Sequence, residues 1–169
     1  PRVMVERWVP TIPFIGNALN EAGGVIGDPV NCIKMLRNEE AVVVFPEGVR
    51  GSGKPFKDRY QLKRFGHGFM HIAIEENTPI IPVGVVGCEE SLPSLGNLKP
   101  VAKMLGMPYL PICLPFPLPT KVFLTFGEPL YFSGDIECEE EVDKKVAQVK
   151  DAIREAIAKG LSERKHWFA

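Results

Sequence analysis

Cysteine, histidine, an excess of charge of one sign and long apolar runs are all scarce in this chain. Only four of its 169 residues are cysteine and three are histidine. Cys32, Cys88, Cys113 and Cys138 form no C-x-x-C pair, which argues against a zinc knuckle or dithiol motif and makes a reduced, intracellular protein the expectation. The formal net charge is −1, so no whole-molecule field draws in nucleic acid, and none is expected as a partner. A membrane-spanning helix needs about 20 apolar residues that satisfy their own backbone. The longest uncharged run, between Lys103 and Lys121, is broken by Pro108, Pro111, Pro115, Pro117 and Pro119 and cannot span a bilayer. No basic leader followed by an apolar stretch opens the chain, and its first residue is Pro1 rather than methionine, which reads as a segment of something longer. What is present, 45% hydrophobic and 24% charged residues, suffices for one buried core without disulfide or metal staples.

Periodicity predicts alternating helices and strands. Phe14 to Glu21 reads as a short helix closed by Gly23 and Gly24, and Asp28-Pro29 as an N-cap with proline at the first helical position of a helix running to about Arg37. The apolar run Ala41 to Phe45 has the pattern of a strand buried on both faces. Leu62, Phe65, Phe69, Ile72 and Ala73 recur at helical spacing up to Asn77, Ile80 to Val86 reads as a second buried strand, and Lys121 to Phe126 as a third. Val142, Val146, Val149, Ile153 and Ile157 stripe a long final helix that ends near Gly160, and the acidic Glu139 to Glu141 suits its N-terminus. The expectation is a single α/β domain over residues 1–169, truncated at its N-terminus, with a mixed or mainly parallel sheet wrapped by helices. The apolar stretch from Met104 to Leu118 is either a proline-stiffened loop folded over the core or a segment lying in a membrane interface.

In such sheets chemistry gathers where loops leave the carboxyl ends of strands. The loop after the first apolar run reads Glu47-Gly48-Val49-Arg50-Gly51-Ser52-Gly53-Lys54-Pro55. Gly48, Gly53 and Lys54 fit a G-x-x-x-x-G-K-[ST] phosphate loop, but Pro55 stands where magnesium binding needs a hydroxyl, so a nucleotide binder is only an alternative. From Arg50 to Arg64 there are six cations against the single acid Asp58, which makes either a site for a phosphate-bearing group or a solvated basic face.

Phe45-Pro46-Glu47-Gly48-Val49-Arg50-Gly51 resembles the F-P-E-G-[TV]-R-[SG] block of the glycerolipid acyltransferases, the lysophosphatidic-acid and glycerol-3-phosphate acyltransferase superfamily. Ile81-Pro82-Val83-Gly84-Val85-Val86-Gly87 resembles that family's later proline-containing strand, and Pro10 to Gly16 followed by Gly23-Gly24-Val25-Ile26 is similar to the segment before F-P-E-G. The resemblance covers most of residues 8–132. It implies that Phe45, Pro46, Glu47, Gly48, Arg50 and Pro82 line the substrate site: Glu47 and Gly48 position the acceptor hydroxyl or order the loop, Arg50 binds acceptor phosphate, and Pro82 shapes the acyl or acceptor pocket. A guanidinium fork and glycine amides suit an anion.

Two departures follow. The family often has an arginine after Gly24-Val25-Ile26, whereas Gly27, Asp28 and Pro29 stand here, which implies an acceptor less phosphorylated than lysophosphatidic acid. The family's His-x-x-x-x-Asp pair, whose histidine deprotonates the acceptor alcohol, has no counterpart: His67, His71 and His166 all follow Glu47, and none has aspartate five places on. His67 and His71 share a helix face, but Gly68 stands where H-E-x-x-H has its glutamate, so no metal is expected. The expectation is therefore that no catalytic residue lies in this chain and that the base is encoded before Pro1. A non-catalytic lipid binder is the alternative if the parent begins here. The resemblance further implies acyl-coenzyme A or acyl-carrier protein as co-substrate, no cofactor and a glycerolipid acceptor, while the Met104 to Leu118 stretch and the basic loop together favour peripheral attachment to the cytoplasmic face of a membrane.

Overall fold

The computed structural model describes residues 1–11, 15–104, 111–113, 116–164 and 166. The element order is β1 (Arg2–Val5), α1 (Ile15–Glu21), β2 (Gly24–Ile26), α2 (Pro29–Arg37), β3 (Val42–Val43), α3 (Val49–Ser52), α4 (Gly68–Glu75), β4 (Val83–Val86), α5 (Cys88–Ser91), β5 (Ser94–Asn97), α6 (Lys99–Met104), β6 (Pro111–Cys113), β7 (Phe123–Phe126) and α7 (Glu139–Glu163). The strands fall into a parallel trio in the order β2-β1-β3 and two antiparallel pairs, β4-β7 and β5-β6. Parallel neighbours need crossovers, and α1 and α2 supply them. The mixed α/β expectation holds, and among the described strands only the first three are parallel.

Asp28 caps α2 as expected, its carboxylate accepting from Val30 N–H at 2.9 Å with Pro29 at the first helical position. α2 packs on α4 and β3. Arg37 clips it to the end of α4 through two hydrogen bonds to Glu76, at 2.9 and 2.7 Å, and this guanidinium holds the Glu76 carboxyl below the usual carboxylate range.

The run Ala41 to Phe45 departs from its expectation. Only Val42 and Val43 form strand, and Val43, Val44 and Phe45 are exposed, Phe45 by 63%. A strand is buried on both faces only inside a sheet. β3 lies at the margin with one neighbour, and Pro46 offers no N–H to extend the ladder. Residues 62–66 are likewise not helical. Backbone donors a helix would have used are taken from afar: Lys63 N–H goes to the Glu47 carboxylate and Gly66 N–H to the Pro46 carbonyl at 2.9 Å.

A hydrophobic core forms where α7 packs on α4 and the chain before it: Phe65, Met70, Val142, Val146 and Val149 are buried together, with Phe69, Ile74 and Ile153 packed around them. α7 then lies across β4 and β7. Two glycines permit this approach. A Cβ on Gly84 would stand 2.5 Å from the Ala156 carbonyl carbon and 2.6 Å from Ile157 N, and one on Gly160 would stand 3.1 Å from both Thr125 Oγ1 and Val86 Cγ2. Gly160 is thus a packing glycine, and the helix continues to Glu163. Among the described residues no helix is long and apolar enough to cross a membrane.

Candidate active site

The parallel trio carries its chemistry at one edge. Val5, Ile26 and Val43 end β1, β2 and β3 on the same side, so Glu6-Arg7, Gly27-Asp28 and the Pro46 to Arg50 turn all leave from the carboxyl ends of neighbouring strands. Arg7 reaches across to Asp28 at 2.7 Å. Gly48 has φ +54 and ψ −143, a backbone state that side chains resist, and a Cβ there would stand 3.3 Å from Glu6 Oε1. Glycine therefore brings the turn against the end of β1.

Glu47 turns inward to organise the loop. Its carboxylate accepts from Lys63 N–H and lies 3.6 Å from Lys54 Nζ. Lys54, almost fully buried, also pairs with Glu89 at 2.9 Å and donates to the Gln61 carbonyl at 3.1 Å. Tyr60 is held at φ +63, unusual for a bulky residue, by bonds at both its ends: its N–H donates to Glu89 at 2.6 Å, and its hydroxyl accepts from Gly87 N–H at 2.9 Å. Burial pushes the Tyr60 phenol up. Behind it, Arg164 from the end of α7 meets Glu90 at 2.5 Å, with both side chains at least 96% buried, and Arg59 approaches the same carboxylate at 3.8 Å. This pairing raises the Arg164 guanidinium further. The loop from Pro46 to Gly66 is thereby bolted to α5 and to the end of α7, and a preorganised loop costs little ordering when a ligand arrives.

The phosphate-loop alternative does not fit this geometry. Its lysine would have to face a triphosphate, yet Lys54 points into the protein and is engaged by two carboxylates and a carbonyl. Arg50 on α3 is exposed and in no ion pair among the described residues, as are Lys57 and Arg64 further along the loop, and of these Arg50 lies on the Glu47 turn itself. Phe45, Pro46, Glu47, Gly48 and Arg50 thus form one continuous turn. Pro82 stands apart from it, fully buried in the sheet, with its carbonyl accepting from Gly127 N–H at 2.8 Å.

One histidine–carboxylate pair joins residues distant in sequence. His67 Nε2 lies 2.9 Å from Asp143 Oδ1, beside a cavity of about 330 Å³ that Leu62, Lys63, Phe65 and Val146 also line. His67 follows Gly66, which is tied to Pro46, so the pair neighbours the Glu47 turn. The His67 and His71 ring centroids are 6.3 Å apart, and no three metal-ligating side chains converge among the described residues. Glu89, Glu90, Tyr60, Arg164 and the His67–Asp143 pair had no signal in local spacing. Their partners lie up to 104 positions away.

A parallel trio joined by helical crossovers, with an F-P-E-G-V-R turn at its carboxyl edge, marks an α/β protein of acyltransferase type. The sequence profile of the Acyltransferase family matches residues 1–86, and the chain belongs to that family, within the glycerolipid acyltransferase superfamily. It is 34% identical to an uncharacterized protein of Mycobacterium tuberculosis over 99% of this chain and 51% of that protein. It is 27% identical to the human DGAT1/2-independent enzyme synthesizing storage lipids over 94% of this chain and 48% of that one. The crystal structure of the 1-acyl-sn-glycerophosphate (LPA) acyltransferase PlsC from Thermotoga maritima shares the fold with a TM-score of 0.53 at 22% identity, covering 89% of this chain and 56% of its own. The chain spans about half the length of these relatives.

Proposed function

We propose that the protein of which these residues are part moves a fatty acyl group from a coenzyme A or acyl-carrier-protein thioester to the hydroxyl of a glycerolipid or related alcohol. A base removes the hydroxyl proton, the oxygen attacks the thioester carbonyl, the C–S bond breaks, and the thiol leaves with a proton while the new ester departs. The thioester supplies the driving force, so neither metal nor cofactor takes part. The observation that carries this reading is the rigid Glu47 turn with Arg50 outward at the carboxyl edge of the parallel sheet, in a chain of the Acyltransferase family. In this reading Glu47 orders the loop, Gly48 lets the backbone approach the acceptor, Arg50 contacts its headgroup, and Pro82 shapes the sheet behind it. The base comes from outside these residues, and the protein works at the cytoplasmic face of a membrane.

Charge at the edge favours an acceptor of low negative charge. The family's second arginine position is taken by Gly27-Asp28-Pro29, and Asp28 neutralises the nearby Arg7. Glu47 and Glu89 neutralise Lys54, so on the turn itself Arg50 is the cation presented to the headgroup. The name of the human relative, which refers to storage lipids, is compatible with that preference. A panel running from lysophosphatidic acid through phosphodiester lysolipids to uncharged glycerides tests it: the less charged acceptors give the higher kcat/KM, and a clear preference for the phosphomonoester contradicts it.

Arg50→Ala removes an exposed cation in no described ion pair, so stability changes by less than about 0.5 kcal/mol. Losing one charge-assisted contact, about 1.5–3 kcal/mol, raises the acceptor KM by roughly ten- to a hundredfold. Unchanged acceptor kinetics in the full-length enzyme would remove Arg50 from the site.

The His67–Asp143 pair supports a second reading, in which the base lies within this chain. His67→Ala separates the two. It leaves kcat within about a factor of two if the base is upstream, and costs the 10²–10⁴-fold of general base catalysis if the imidazole is the base.

A further inference from the structure

Between α5 and β7 the chain makes an excursion whose two ends meet. Leu118 N–H donates to the Ser91 carbonyl at 2.8 Å, and Ser91 Oγ donates to the Leu118 carbonyl at 3.3 Å. Within it, β5 and β6 pair with each other in antiparallel register, Ser94 with Cys113 and Asn97 with Pro111, and form no ladder with any other described strand. The result is a lobe closed at its base by two hydrogen bonds.

Among the described residues, large apolar side chains stand out on its surface. Met104 is 79% exposed, Phe116 78% and Leu95 70%, and Leu92, Leu98 and Ile112 are exposed as well. Single exposed apolar residues are ordinary, but this concentration on one small lobe is not. Its charge is as one-sided as its polarity. From Ser91 to Gly127 there is no aspartate or glutamate, and the charged residues are Lys99, Lys103 and Lys121.

We propose that this lobe is a bilayer-docking element that places Leu95, Met104 and Phe116 among acyl chains and Lys103 against anionic headgroups. The charge chooses the occupant. In a symmetric pair of copies lysine would tend to face lysine with no carboxylate on the lobe to answer it, whereas an anionic lipid surface complements both the apolar side chains and the cations. The inference rests on the proposed function only in that a lipid substrate needs a lipid surface, and the two fail separately because vesicle binding is measured without acyl donor.

The test is flotation of the 169-residue chain with vesicles of phosphatidylcholine alone or with phosphatidylglycerol added. The chain binds the anionic vesicles, Leu95→Glu/Phe116→Glu lowers the partition coefficient at least about tenfold, and Lys99→Glu/Lys103→Glu lowers it on anionic vesicles with little change on neutral ones. Circular dichroism checks the fold of each variant, and the milder Leu95→Ala/Phe116→Ala shows the same direction with a smaller loss. In a Leu95→Trp variant the emission shifts to the blue on binding. Failure of the parent chain to bind either vesicle, or unchanged binding of both charged variants, overturns the proposal. So does a dimer that Leu95→Glu dissociates.

Discussion

Gly84→Val is expected to abolish soluble expression of this chain, and Gly84→Ala to destabilise it by about 3 kcal/mol or more, at or beyond the upper end of ordinary overpacking. The reason lies in what the added carbon meets. At 2.5 and 2.6 Å it would face the carbonyl carbon of Ala156 and the nitrogen of Ile157, both backbone atoms of α7, so no rotamer change relieves the contact. Relief would require lifting α7 off β4. That would open the contacts of Ala156, Ile157 and Gly160, buried on the same helix face. Native domains are stable by only about 5–15 kcal/mol, so a loss of this size consumes a large fraction of the total. Urea denaturation of Gly84→Ala against the parent chain measures it, with Gly96→Ala as the control. The nearest atom to a Cβ there is the end of the Ile112 side chain at 3.7 Å, an ordinary contact.

Glu47→Ala is the second large effect, and it falls on both stability and function. It leaves the Lys63 N–H without its carboxylate acceptor and takes one of two carboxylates from the nearly buried Lys54. An unmet buried donor costs about 1–3 kcal/mol, and the half-buried Lys63 N–H falls at the lower end of that range. For a chain of this size each kcal/mol lowers Tm by roughly 2–4 °C. The functional loss is larger than that figure suggests, because the freed loop no longer holds Gly48 and Arg50 in place, and a misplacement of about 1 Å can cost roughly 10²-fold in rate. Glu47→Gln separates ordering from chemistry. The amide oxygen still accepts from Lys63 N–H, so if Glu47 acts by ordering the loop, Gln recovers most of the stability and much of the full-length enzyme's activity. Recovery of stability without activity would assign the carboxylate a chemical part.

The stripe Val142, Val146, Val149, Ile153, Ile157 declared α7 because helical periodicity is local, and Asp28-Pro29 declared the start of α2 because a cap needs only its own neighbours. β1, β2, β5 and β6 are three or four residues long, too short for a periodic signal, and exist because a partner strand lies alongside. The five apolar residues before Pro46 promised a central strand. Whether a strand is central depends on how many neighbours it acquires, which the run itself does not encode. Of the site, the continuous Phe45 to Arg50 turn was legible as a motif. The carboxylates that engage Lys54, the bond from Gly87 to Tyr60 and the reach of Arg164 to Glu90 were not, since each joins elements that only the fold brings together.

Thiol release from a long-chain acyl-coenzyme A, with a panel of lipid acceptors, tests the central claim most directly. It compares this chain with one extended upstream in the parent reading frame by about sixty residues, room for roughly two strand–crossover units of a dozen or more residues each. Acceptor-dependent release by the extended form alone is the predicted result, and it would place the base upstream with the Glu47 turn as the acceptor site. Release by neither form, with vesicle binding intact, would contradict acyl transfer and leave a fold that holds lipid without reacting it.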